Sequence, residues 1–162
     1  MMRVAVPAAL VALWAGGAVL GPLLPLSPDA VDLPRILAGP GASAWLGYDD
    51  LGRPVLDRLV VGARTSFTVA VAVVTLAVVV GTAVGTLSAW LGGWWDHVTV
   101  RVIDVFLAFP GILLAIALSG ILGPGIENVV IALGAVGWVG FARLARAQTL
   151  SLKHREHVTA AR

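Results

Sequence analysis

The stretch VAVAVVTLAVVVGTAVGTLSAWL, residues 69–91, contains no charged residue. Hydrocarbon offers no partner to a backbone N–H or C=O, so a run this long and this apolar must satisfy its own backbone as a helix crossing a membrane. With Phe67 at its start, it predicts a span over residues 67–91. Composition agrees. The chain has 162 residues, 59% of them hydrophobic and 12% charged, and a mean hydropathy of +0.95. Soluble domains carry about twice that share of charge.

Three further runs are candidates for spans. The first covers residues 4–26 behind Met1 and Arg3, and Pro22 and Pro25 end it. Its apolar stretch exceeds the ~7–15 residues of a secretory signal core, and no small-x-small cleavage site follows, so a retained helix is expected. The third covers residues 102–122, with Asp104 near its start and Pro110 inside. The fourth covers residues 129–142 and extends through Leu144–Ala147. The predicted fold class is an all-α polytopic membrane helix bundle with four transmembrane helices.

Orientation follows from Lys and Arg near the span ends. The 123–128 connection holds Glu127 and no basic residue, whereas Arg143, Arg146, Lys153, Arg155 and Arg162 follow the fourth span. The tail is therefore expected in the cytoplasm, residues 92–101 inside, 27–66 outside, and the N-terminus inside with Arg3. Arg35, Arg53, Arg58 and Arg64 on the outer segment run against the rule, but long segments weigh less in it. Two regions result: residues 1–65, an N-terminal span plus an extracytoplasmic segment, and residues 66–162, the remaining spans.

The outer segment has a pattern of its own. Asp49 and Asp50 are good N-cap residues and Pro54 suits a first helical turn. Leu51, Val55, Leu56, Leu59 and Val60 share a helical face, and Arg53 and Asp57 stand four apart. An amphipathic helix along the outer membrane surface is expected. On the inner side, Trp94 and Trp95 suit the headgroup level. Arg101 and Asp104 are three apart and predict a structural ion pair where the third span enters. Gly81, Gly85 and Ala89 on the second span, and Gly134, Gly137 and Gly140 on the fourth, form small-residue seams that allow close helix approach.

No catalytic constellation is expected. The only lysine, Lys153, is not set in a phosphate-binding loop, and no nucleophile–base pair lies at depth in the spans. His154 and His157 are three apart but have no obvious third ligand, so no metal site is predicted, and no cofactor. There is no cysteine. The arginines gather at span ends rather than on one continuous basic face, so the lipid bilayer and not nucleic acid is the expected partner. Such a chain reads as a passive pathway driven by something else.

Three stretches together resemble the permease subunits of binding-protein-dependent ABC importers of the dipeptide, oligopeptide and nickel group. LGYDDLGRPVLDRLVVGARTS (residues 46–66) resembles the family's extracytoplasmic motif, with Asp49, Asp50, Gly52 and Arg53 in place. Tyr48 stands where Thr is usual and Pro54 where an acid is usual. GGWWDHVTVRVIDVFLAFPGILLAIAL (92–118) resembles a second hallmark that includes Asp104 and Pro110. Residues 122–162 resemble the run into the cytoplasmic coupling loop.

The resemblance implies a six-helix type I importer permease of the bacterial cytoplasmic membrane, of which this chain is the N-terminal part. Residues 66–162 would then be an incomplete transmembrane domain ending at the start of the coupling loop. That loop would include Glu156, Thr159, Ala160 and Ala161, with Thr159 where the family's Glu-Ala-Ala motif has its glutamate. The implied partners are a second permease subunit, two cytoplasmic ATP-binding subunits and an extracytoplasmic solute-binding protein. A non-transporting membrane scaffold and a non-functional permease fragment are the alternative readings.

Overall fold

The computed structural model describes residues 2–153 and Arg155. Its elements are α1 (Met2–Leu20), α2 (Val55–Leu91), α3 (Gly93–Leu107), α4 (Gly111–Leu122) and α5 (Ile126–Lys153), with 3-10 turns at Gly21–Leu23 and Leu33–Arg35. Among the described residues there are no named strands, only isolated bridges at Gly41–Ala44 and Tyr48–Pro54. The protein is all-α. Three helices are long and apolar enough to cross a membrane, and α3 with α4 forms a fourth candidate bent by 87°. The chain divides into two compact units, Met1–Thr68 and Val69 onward.

In the first unit, α1 gives way at a 3-10 turn, Gly21–Leu23, whose second residue is Pro22. The end of α1 lies antiparallel to the start of α2: a side chain on Gly17 would meet Ala63, and one on Gly21 would meet Val60. The outer segment is a hydrogen-bonded loop. Leu37 N–H donates to Asp49 O (3.0 Å), Tyr48 N–H to Ala38 O (2.9 Å) and Val55 N–H to Gly47 O (3.1 Å).

Here the structure differs from the expected surface helix. Helix begins only at Val55, and it continues without a break to Leu91, 37 residues in all. Asp49 does not cap it, because its carboxylate is taken up by a tight turn through Gly52, described below. Between Gly62 and Phe67 nothing in the sequence stops a helix once it has started. At 1.5 Å per residue α2 is about 55 Å long, well beyond the ~30 Å hydrocarbon layer. The amphipathic turns at its start are therefore an extension of the span. The Arg53–Asp57 pair is also absent: Arg53 pairs with Asp49 and Asp50, while Asp57 accepts the N–H of Ser27 (2.9 Å).

The second unit has α5 as its axis. α2 runs parallel to it: side chains added at Gly134, Gly137, Gly81 and Gly85 would meet Leu76, Ala77, Phe141 and Ala142 in turn. Two parallel neighbours require the chain between them to return, and α3 and α4 do so. Asp96 at the start of α3 meets Arg146 near the end of α5. Ile103 and Phe106 pack with Trp138, Val139 and Ala142. Gly111 lies near Val136, and Ala115 and Ser119 share a cavity wall with Val129 and Ala132. The bent pair thus tracks α5 antiparallel from one end to the other, which makes it a broken span and not a re-entrant loop.

The third span is therefore not the single helix expected over 102–122. Pro110 lacks an N–H, crowds the preceding turn and disfavours helical backbone at Phe109, so α3 ends at Leu107 and α4 restarts at Gly111. Most buried residues in this unit are small, Ala77, Ala89, Ala132 and Ala142 among them, with Ile103 and Val139 the larger exceptions, while many large apolar side chains such as Ile112 and Ile121 are exposed. That inversion suits a bundle packed in lipid, where close backbone approach holds helices together and hydrocarbon accepts the large side chains.

Candidate functional site

Along the seam between α2 and α5 the two backbones approach closely. A Cβ on Gly81 would lie 2.4 Å from the Trp138 carbonyl oxygen, and one on Gly85 would lie 2.2 Å from that of Ala142. Both obstacles are backbone, so only glycine fits. One turn further on, Ser88 is 4% exposed and Ala89 fully buried.

At this end of the seam a single carboxylate joins three helices. Asp96, in the first turn of α3, accepts from Arg146 Nε at 2.6 Å and Arg146 Nη2 at 2.7 Å, a two-pronged charged contact from α5. The hydroxyl of Ser88, from α2, donates to the same carboxylate at 2.9 Å. Hydrogen bonds to charged groups contribute roughly 1.5–3 kcal/mol each, and the paired fork of Arg adds directional specificity. The side chains of Arg146 and Asp96 are only 27% and 18% exposed. Two turns beyond Arg146, Lys153 Nζ donates to the carbonyls of Ala89 (3.0 Å) and Trp90 (2.8 Å). Those carbonyls lie in the last turn of α2, where no intrahelical donor remains, so Lys153 caps α2 from α5.

Sequence reasoning missed this cluster. The sequence pattern marks Arg146 and Lys153 only as topogenic charges and gives Asp96 no role. The available signal is an acid three residues after the Gly92–Gly93 break, in the first turn of a new helix. The ion pair expected between Arg101 and Asp104 is not formed among the described residues. Arg101 instead lines an apolar groove with Trp94, Val98, Val102 and Phe106, and Asp104 accepts the N–H of Ala108 through its backbone carbonyl (3.0 Å). Pro110 stands at the N-terminal boundary of α4.

A second polar cluster lies in the first unit. Asp49 Oδ1 accepts the N–H groups of Leu51 and Arg53, each at 2.9 Å, and Oδ2 accepts Arg53 Nε at 2.8 Å and the Arg58 guanidinium. Partial desolvation pushes this carboxyl upward, but the two backbone donors and two guanidinium groups outweigh it and hold it far below the usual carboxylate range. The turn needs Gly52, which has φ +70° and passes so close to Asp32 that a Cβ would fall 1.9 Å from its carbonyl oxygen. Asp50 points outward, its side chain 79% exposed. Tyr48 ties in the preceding loop: its hydroxyl accepts from Arg35 at 2.6 Å and donates to Ser43 at 3.3 Å. Its pKa is lowered, chiefly by the Ser43 contact. The structure thus brings Asp49, Gly52 and Arg53 together in one turn. Glu156, Thr159, Ala160 and Ala161 lie outside the described residues.

Comparison with known proteins gives these features a context. The family described as binding-protein-dependent transport system inner membrane component matches residues 77–162. The dipeptide transport system permease protein DppC of Alkalihalophilus pseudofirmus is 42% identical over 146 residues, 90% of this chain and 48% of that protein. The nickel transport system permease protein NikC of Escherichia coli K12 is 40% identical over 139 residues, 86% of this chain and 50% of that protein. The glutathione transport system permease protein GsiD of Pectobacterium atrosepticum is 41% identical over 131 residues, 81% of this chain and 44% of that protein. The chain spans about half the length of these relatives. It is a multi-pass membrane protein, and it belongs to the binding-protein-dependent transport system inner membrane component family.

Proposed function

We propose that this chain is the membrane-spanning permease part of an ATP-binding-cassette importer, moving a peptide or a related small solute such as a nickel chelate across the bacterial cytoplasmic membrane. The observation that carries the reading is the match to such permeases, which runs from the middle of α2 through α5 to residue 162. The bundle fits the role. Its helices meet through backbone at Gly81 and Gly85, so they form a firm body that a driving subunit can move. ATP hydrolysis by two cytoplasmic subunits would supply the differential stabilisation that alternating access requires.

In this reading residues 66–162 form the transport domain and 1–65 its N-terminal span and outer segment. A solute-binding protein docks on the outer side, near Asp49, Asp50, Gly52 and Arg53. A second permease subunit completes the pathway. Glu156, Thr159, Ala160 and Ala161 belong to the loop that engages an ATPase subunit. Asp104, Arg101 and Pro110 shape the broken span. The N-terminus lies in the cytoplasm.

The test is uptake into proteoliposomes by the full-length gene product with its genomic neighbours. ATP-dependent accumulation of a peptide or a metal chelate, abolished by omitting the binding protein, is the expected result. No uptake of either class by a complex that hydrolyses ATP would count against the reading. Orientation is tested by single cysteines at Glu127 and Arg155: an impermeant maleimide added outside should label the first and not the second.

A further inference from the structure

The Asp96 cluster does more than join two residues. One carboxylate gathers Ser88 from α2 and Arg146 from α5 onto the first turn of α3. Lys153 then pins the last turn of α2 to the end of α5. Between Gly81 and Ala89 the two helices touch through backbone, so there is no layer of side chains whose rotamers could absorb a slip. Sliding α5 along α2 would pull a two-pronged guanidinium–carboxylate pair apart and strip a cap in the same movement. A partly desolvated pair of this kind loses most when one partner is left behind. These contacts sit at the end of the bundle from which the chain runs on past Lys153.

We infer that Asp96 and Arg146 are positioning residues that lock the ends of α2, α3 and α5 into one body, so that a displacement applied beyond Lys153 reaches all three helices together. The inference rests on the importer reading, in which an ATPase subunit acts on the segment after Lys153. Their role is carried by contacts with each other and with Ser88, not by chemistry on solute or nucleotide. They determine how much of the ATPase stroke arrives at the spans.

The experiment uses the complete transporter in proteoliposomes and reads solute moved per ATP hydrolysed. Asp96→Asn and Arg146→Gln should each lower that ratio roughly tenfold, within the range by which residues between coupled sites modulate coupling, while ATP hydrolysis itself changes little. Arg146→Lys keeps the charge but not the fork and should fall between. A purely structural role would lower transport and hydrolysis alike, in proportion to folded protein. An unchanged ratio in the two neutral variants overturns the inference.

A second arm does not depend on transport. These 162 residues contain no cysteine, and a Cβ at Gly137 would stand 3.3 Å from that of Ala77, near the ~3.5–4.5 Å of a disulfide. In a background free of other cysteines, Ala77→Cys with Gly137→Cys should cross-link at the same rate with and without ATP, and more slowly when Asp96→Asn is added. The cross-linked transporter should keep working. Equal rates in the two Asp96 backgrounds, or transport stopped by the cross-link and restored by reductant, overturn the lock. A wild-type complex that moves no solute sinks the importer reading alone, since the cross-linking comparison still decides the lock.

Discussion

Replacing Gly85 by alanine tests the seam with the smallest possible change. The new methyl would lie 2.2 Å from the Ala142 carbonyl oxygen, 2.9 Å from its carbon and 3.0 Å from its Cα, where ordinary contact begins at 3.4 Å. All three are backbone atoms of a helix, so no rotamer change relieves them, and α2 and α5 must part by about 1 Å. A gap of that size forfeits a quarter to a half of the dispersion energy at each seam contact, and overpacking of this kind costs about 1–3 kcal/mol. Alanine returns up to ~1 kcal/mol through its better helix propensity. The net expectation is destabilisation by about 1 kcal/mol, reaching ~2 kcal/mol where the helices cannot part freely.

Gly140→Ala on α5 provides the control, because among the described residues nothing beyond its own stretch of helix lies within 4 Å of its added Cβ. It should be neutral or stabilising by up to ~1 kcal/mol. The assay is reversible unfolding in mixed micelles of rising SDS fraction, followed by tryptophan fluorescence. The propensity gain is common to both changes, so the two variants should differ by about 2 kcal/mol, with Gly81→Ala behaving like Gly85→Ala. A difference below ~0.5 kcal/mol, the noise level of ordinary surface substitutions, would refute the backbone contact.

Three further outcomes follow from the clusters. The Asp49 carboxyl titrates below its ordinary value of 3.8 in the folded chain, so its contribution is complete above that pH and is lost as pH falls through the lower folded value. Amide exchange in the outer segment should therefore stay slow down to about pH 4 and quicken only below ~3, after correction for intrinsic rates, while Asp49→Asn should show faster exchange already at neutral pH. Gly52→Ala meets both a φ of +70° and the Asp32 carbonyl, and limited proteolysis should find the outer segment opened in this variant and not in Gly39→Ala. Lys153→Met removes the ammonium that donates to two carbonyls in the last turn of α2, and SDS unfolding should show a loss of about 1–2 kcal/mol.

What could be read from the sequence, and what could not, divides along a physical line. Hydrocarbon acts on each residue by itself, so the apolar runs and the four-residue spacing of Gly81 and Gly85 were visible one position at a time. Where a helix stops is a contest between neighbours, which no single position displays. Nothing told α2 to end before the membrane, and Pro110, tolerated in many spans, here divides one. Partners were the least visible. The positive-inside rule counts Arg143, Arg146 and Lys153 alike, since a translocation bias is indifferent to what each charge touches. The folded chain treats them differently. Parallel packing with Gly85 against Ala142 sets the register of α2 on α5, and one turn further toward the same end this register brings Ser88 and Arg146 within reach of one carboxylate. The reversal at Gly92 and Gly93 then places Asp96 between them. An ion pair fifty residues apart in sequence is thus a consequence of two glycines, and it becomes legible only once the seam they form has been located.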